Sequence, residues 1–298
     1  MLIHMRSILW KLMSRFKKFS IPYLVWMIIF TGIPLILMIV FAFSTIESFS
    51  AYTFNISEVS FTANNLQALV DKTFINSLLR SLLYALIATI LCLLIGYPIA
   101  YFISHSKLKH KYLILLIFIM PMWTNMLLRI QTINNLLSEN SFFTNVFGFT
   151  IDLSDFKALK IIAVMTLVYL PFMIFPIYTV LEKMDISINE ASRDLGASPV
   201  KTFFKVTMPM SSKGIFSGIM MVFLPAAMSF TIPKIVTKED PNYAMVGQLI
   251  ERQFKNYTTF YNIGSIWSLV IIILVLGSLY IVSKVDEEGE TLLWWKKE

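Results

Sequence analysis

Residues 189–209 read NEASRDLGASPVKTFFKVTMP, a polar, charged and glycine-broken stretch set between two long apolar runs. Its local signals are ordered. Ser187-Ile188-Asn189-Glu190 fits a capping box, in which the Ser187 hydroxyl and the Glu190 carboxylate satisfy each other's backbone N–H groups. Ile188, Ala191 and Leu195 recur at i, i+3 and i+7, which predicts an apolar stripe on a helix of about two turns. Gly196 stops that helix, because glycine adopts the left-handed terminal conformation without steric cost. Ser198 and Pro199 open a second helix as N-cap and first helical residue, Phe203, Phe204 and Val206 form its apolar side, and Pro209 ends it. A helix of roughly eight residues does not stand alone in water. The first helix therefore docks either on the membrane ends of its own chain or on another subunit.

The surrounding chain is built for lipid. Of 298 residues 57% are hydrophobic and only 14% charged, and the mean hydropathy is +0.71, far from a soluble domain. Six runs are long and uncharged enough to cross ~30 Å of hydrocarbon: Pro22–Phe43, Ser81–Ile103, Tyr112–Leu128, Ile161–Leu181, Ile215–Pro233 and Ile263–Ser283. The expected fold class is an all-α integral membrane protein with six transmembrane helices spread over residues 22–283. The first run is too long for a removed signal peptide and lacks the small-residue cleavage pattern, so it is retained as the first helix. Residues 1–21 alternate apolar positions with Arg6, Lys11, Arg15 and Lys17, as an amphipathic interfacial helix does.

Charge sets the orientation. Residues 1–21, 104–111, 182–214 and 284–298 hold 16 of the 25 Lys and Arg residues, while the acids divide nine and nine between the two sides. The whole net charge of +7 thus falls on one side, which places both termini, the loop 184–209 and the tail 284–298 in the cytoplasm. The basic pI is read as this orientation signal facing anionic lipid, with no nucleic-acid partner. Arg80, at the end of its run, is expected to snorkel to the outer interface.

Little chemistry is on offer. Cys92 lies inside an apolar run and excludes a disulfide framework; His4, His105 and His110 sit in basic flanks and read as solvated interfacial residues with no metal role. All 18 acids lie outside the six runs, which removes the carboxylate that a proton-driven carrier uses as a relay. No phosphate-binding glycine loop and no catalytic constellation is present, so the chain is read as a non-enzyme with no catalytic or metal residues and no cofactor of its own.

Glu190-Ala191-Ser192, three residues, Gly196, nine residues and Val206-Thr207-Met208-Pro209 resemble the EAA motif of permease subunits of ATP-binding-cassette importers, with Ser192, Val206 and Met208 as conservative departures. The resemblance implies a type I importer permease fold and a cytoplasmic coupling helix seated in a groove of a separate ATPase. On that reading Glu190, Ala191 and Ser192 lie in the contact, Gly196 makes the turn, Arg193 or Asp194 pairs with ATPase charges, and Pro209 closes the motif. It also implies a second, C-type permease, two ATPase copies that bind ATP and Mg, a substrate-binding protein outside the cell and a bacterial inner-membrane location.

Ile21 to Trp26, Gly96 to Tyr101, Glu190 to Pro209 and Leu224-Pro225-Ala226 through Trp267 are similar to the B-type permeases of spermidine/putrescine importers. That similarity implies a polycationic substrate. With no intramembrane carboxylate, its passage falls to aromatic faces and polar groups: Tyr97, Trp123, Tyr169 and Tyr261, with Asn125 and Ser229. Core packing or interfacial anchoring is the competing role for each. The outer acids Asp152, Asp155, Glu239, Asp240 and Glu251 meet a delivering protein, attract cations or are simply solvated. Three other readings stay open: the same machine for another solute, a stand-alone secondary carrier and an intramembrane enzyme.

Overall fold

In hydrocarbon every backbone N–H and C=O must pair within its own segment, so a spanning chain of this composition is helical. A computed structural model describes residues 22–45, 60–106, 109–138, 153–255 and 261–294, with Ile186 and 281–294 described by backbone alone. The interfacial segment 1–21 with His4, Asp152 and the last four residues of the tail lie outside the described residues. The helices are α1 (Pro22–Ala42), α2 (Lys72–His105), α3 (Lys111–Ile119), α4 (Met126–Leu136), α5 (Lys157–Glu182), α6 (Ile186–Asp194), α7 (Pro199–Met210), α8 (Ser212–Ala227), α9 (Thr231–Thr237), α10 (Val246–Lys255) and α11 (Tyr261–Trp294). Among the described residues, extended pairing is confined to one isolated bridge, Ser44 with Phe61.

Helices α1, α2 and α5 and the stretch Tyr261–Tyr280 of α11 are long and apolar enough to cross a membrane. Two bent pairs add up to two more spans if each pair counts as one: Lys111–Trp123 with α4, bent by 107°, and α7 with α8, bent by 66°. The run Tyr112–Leu128 is therefore not one straight helix. Pro121 sits in a 3-10 turn over Met120–Trp123, and Thr124 is extended (φ −80°, ψ 156°), because a ring nitrogen without a proton interrupts the helical ladder. The run Ile215–Pro233 is also interrupted: α8 stops at Ala227 and the chain restarts as α9 at Thr231. Pro209 does not end its helix either. A π-turn over Phe203–Thr207 reroutes the hydrogen bonds just ahead of it, α7 runs on to Met210, and the bend falls at Ser211.

Two compact units are distinguished, 1–69 with 253–270 and 70–252 with 271–298. In the first, α1 carries a π-turn at Ile28–Gly32. Asn65 Nδ2 donates to the carbonyls of Ala42 (3.0 Å) and Ser44 (2.8 Å), and Trp267 Nε1 donates to the Ala68 carbonyl (3.0 Å).

The second unit is built on α2, α5 and α8, which pack on one another. Association in lipid rests on close packing rather than on a hydrophobic drive, and small residues allow it. Ala85, Ala88 and Ala100 of α2 are fully buried. A Cβ on Gly214 of α8 would lie 2.9 Å from the Pro176 carbonyl oxygen and 3.0 Å from Ile177 Cα. Both are backbone atoms of α5 and neither can step aside. Gly214→Ala is expected to destabilise the protein by about 1–3 kcal/mol through overpacking, seen as a lower thermal midpoint in detergent. Gly277→Ala, whose Cβ meets nothing within 4 Å, should not lower that midpoint.

Candidate functional site

The loop opened by the end of α5 folds as two short helices around Gly196, and their caps differ from the sequence expectation. Asp185, not Ser187, is the N-cap of α6: its carboxylate accepts from the Ser187 N–H at 3.0 Å. Asp185 offers the same acceptor two residues earlier, so Ser187 falls inside the helix. At the other end Gly196 takes φ +81°. The Ala197 N–H reaches the Ser192 carbonyl (3.1 Å) and the Gly196 N–H reaches that of Arg193 (2.8 Å), the paired closure of a glycine-terminated helix. Ser198 caps α7 by accepting from the Lys201 N–H at 3.3 Å, with Pro199 at the first turn.

The faces of α6 are reversed relative to an ordinary surface helix. Asn189 is 8% exposed and buried toward the protein, and Ser192 turns to Thr202, their hydroxyls 3.1 Å apart. Of the apolar stripe, Ile188 is half-buried while Ala191 is exposed and Leu195 is 90% exposed. Glu190, Arg193 and Asp194 share that open side, joined by Val200 and Phe204 of α7. Of the two docking partners left open by the sequence, the described residues of the chain's own membrane ends do not take up Ala191 or Leu195.

His105 is not the solvated residue that its basic flank suggested. Its Nε2 lies 3.3 Å from Asn189 Nδ2, and Asn189 Oδ1 accepts from the Thr207 hydroxyl at 3.1 Å. Nearby, the Tyr97 hydroxyl pairs with Ser211 Oγ at 2.8 Å, and the Tyr97 ring meets Phe203 edge-on at 5.4 Å. Asn189 carried no signal in the sequence beyond its place next to Glu190.

Of the candidate pathway residues in the second unit, Tyr169 and Ser229 are brought together, while Tyr97, Trp123 and Asn125 have other surroundings. Tyr97 is buried and tied to Ser211. Tyr169 is buried in α5, its hydroxyl 3.4 Å from the Pro225 carbonyl and beside Ser229 and Arg129. Ser229 Oγ accepts from the Ile232 N–H at 3.4 Å, at the restart of the chain into α9. Asn125 caps α4 by accepting from the Leu127 N–H at 2.8 Å. Trp123 is 79% exposed, and Tyr261 stacks with Phe41 at 6.1 Å in the first unit. A pocket in the second unit is lined by Leu78, Phe223, Met228 and Leu274 among other residues and includes none of the six.

The outer charges are largely engaged. Asp240 pairs with Lys157 at 2.7 Å and Glu251 with Lys234 at 2.8 Å, while Glu239 lies 3.5 Å from Lys234 and Asp155 is exposed. The Lys157 ammonium holds the Asp240 carboxyl below the usual carboxylate range. Arg80 is half-buried and donates to the Ala244 carbonyl at 2.8 Å. Arg129, unremarked in the sequence, donates to the Pro121 carbonyl at 2.7 Å and so closes the break between α3 and α4.

The cap on α6 titrates. The Ser187 backbone N–H holds the Asp185 carboxyl below its ordinary value. A depressed folded pKa means a contribution present above the unfolded pKa and lost as pH falls through the folded one. Amide protection over residues 187–189 should therefore drop in acid in the parent chain but not in Asp185→Asn, whose side chain caps without titrating. Asp185→Ala should lower protection at every pH, and Ser187→Ala should leave it unchanged.

Residues 6–284 match the family described as "Binding-protein-dependent transport system inner membrane component". The chain is 33% identical over 263 residues to the spermidine/putrescine transport system permease protein PotB of Escherichia coli K12, covering 86% of this chain and 92% of that one. Among solved structures it resembles a bacterial ABC transporter involved in import of the acidic polysaccharide alginate, at a TM-score of 0.71 with 14% identity over 93% of this chain and 99% of that one. It also resembles a bacterial alginate ABC transporter in complex with an alginate pentasaccharide-bound periplasmic protein, at 0.69 with 12% identity over 94% and 97%. At such identities the structural likeness carries the fold alone.

Proposed function

The chain belongs to the binding-protein-dependent transport system inner membrane components, a permease subunit of an ABC importer without an ATPase site of its own, and from that premise we propose that it imports polyamines with α6 as its coupling helix. The outward stripe of α6 carries the mechanical part of this reading: Leu195 is 90% exposed on a helix too short to hold itself in water. Glu190, Ala191, Asp194 and Leu195 enter a groove of an ATPase subunit, while Asn189 and Ser192 fasten the helix to its own chain. Arg193 and Asp194 answer charges on that partner. Read as six spans, with each bent pair counted as one, the chain keeps both termini on one side, and the excess of Lys and Arg on that side supports its being cytoplasmic, with this loop.

Spermidine and putrescine are the proposed substrates, on the strength of the relative that bears their names and covers most of the chain. The remaining subunits are a second permease, two ATPases that bind ATP and Mg, and an external binding protein. When the ATPase pair closes on ATP, α6 is displaced and the membrane helices open outward to receive the substrate. Along the path Trp123, 79% exposed, offers an open ring face. Cation–π attraction of ~0.5–2 kcal/mol per ring is weak enough to release a cation again.

Two measurements bear on this. Uptake of radiolabelled spermidine by vesicles holding the full assembly should be competed by putrescine and not by alginate oligosaccharide or histidine; no competition by either polyamine sinks the substrate assignment. Leu195→Asp and Glu190→Lys should each remove the ATPase from the purified complex while the permease stays in the membrane. Normal co-purification and transport in both would remove α6 from its role.

A further inference from the structure

The long helix α2 ends against the buried face of α6, and the two meet through a chain of side chains with one consistent pattern of donors and acceptors. The Thr207 hydroxyl donates to Asn189 Oδ1 at 3.1 Å, which leaves Asn189 Nδ2 as the donor facing His105 Nε2 at 3.3 Å. Nε2 must then be the bare nitrogen, and the ring proton sits on Nδ1, toward the Tyr101 carbonyl at 3.1 Å and Ser104 Oγ at 2.9 Å. The imidazole cannot turn freely, because it stacks on Tyr101 at 4.1 Å, and Tyr101 meets Phe203 of α7 edge-on at 5.2 Å. Thr207 is fully buried. Pulling α6 from α2 therefore leaves donors and acceptors unpaired in a buried place, the costly way to break a hydrogen bond.

We propose that His105, Asn189 and Thr207 form a positioning joint that carries the displacement of α6 into the last turns of α2, resting on the reading of α6 as the coupling helix. Asn189 directly precedes Glu190, so one residue of the motif faces the partner while its neighbour grips the membrane helix. His105 is separated from Asn189 by 84 positions in sequence. Besides the joint, the described residues link α6 to its neighbours in sequence, α5 and α7. With it, a third helix follows the same displacement.

The experiment is hydrogen exchange on the complete assembly with and without a non-hydrolysable ATP analogue, reading residues 98–105 of α2 and 186–194 of α6 separately. Nucleotide should change protection in both segments of the parent. In His105→Ala the response of α6 should persist while that of residues 98–105 is lost. His105→Gln, whose amide oxygen reaches the place of Nε2, should restore it; His105→Asn, too short to do so, should not. A nucleotide response of residues 98–105 that survives His105→Ala, or that His105→Gln restores no better than His105→Asn, overturns the proposal. Loss of assembly in His105→Gln as well would mean a role in folding only and also overturns it. If α6 itself shows no response to nucleotide in the parent, the coupling reading has failed, an outcome distinct from failure of the joint.

Discussion

Polar groups inside hydrocarbon have no water to turn to, and the fold of this chain is arranged around the places where they find partners instead. Each interruption of a helix carries its own. Between α3 and α4 the Pro121 carbonyl takes Arg129 and Thr124, and Asn125 caps the helix that follows. At the bend before α8 the Ser211 hydroxyl meets Tyr97 of α2. Between α8 and α9 Ser229 accepts from the Ile232 N–H. Several polar residues that suit a substrate pathway by composition are thus engaged in holding a broken backbone together.

The same accounting explains the inverted helix α6. Its inward neighbours are hydroxyls, an imidazole and an amide, so Asn189 and Ser192 are the residues that fit there. Among the described residues, none covers Ala191 or Leu195 on the apolar side. Leu195, Val200 and Phe204 are exposed and would be an aggregation liability on an isolated soluble protein; the proposed coupling role gives them a partner to cover them. The helix is held by side-chain bonds on the inside and left bare on the outside, the arrangement that the proposed coupling role requires of so short a helix.

The membrane class, the all-helical fold and the EAA motif with its glycine turn were legible in the chain itself. They depend on local or additive properties: runs of apolar residues, the backbone freedom of Gly196 and an ordered spacing. Where short-range rules compete, the sequence misled. Ser187 and Asp185 are both good caps, and which of them is used depends on where α5 releases the chain. Pro209 reads as a terminator until the π-turn ahead of it absorbs the missing hydrogen bond.

What the sequence alone determined is that this protein lives in lipid as helices and carries one ordered polar loop with the spacing of the EAA motif. Which face of that loop turns inward was decided by the tertiary structure. Asn189, His105 and Thr207 lie far apart in the chain, and only the packing of α2 against α6 and α7 makes a hydrogen-bonded set of them. The stripe Ile188, Ala191, Leu195 follows from helical period; that Ala191 and Leu195 stay uncovered follows from polar groups beneath α6 that accept Asn189 and would leave an apolar side chain facing unpaired donors.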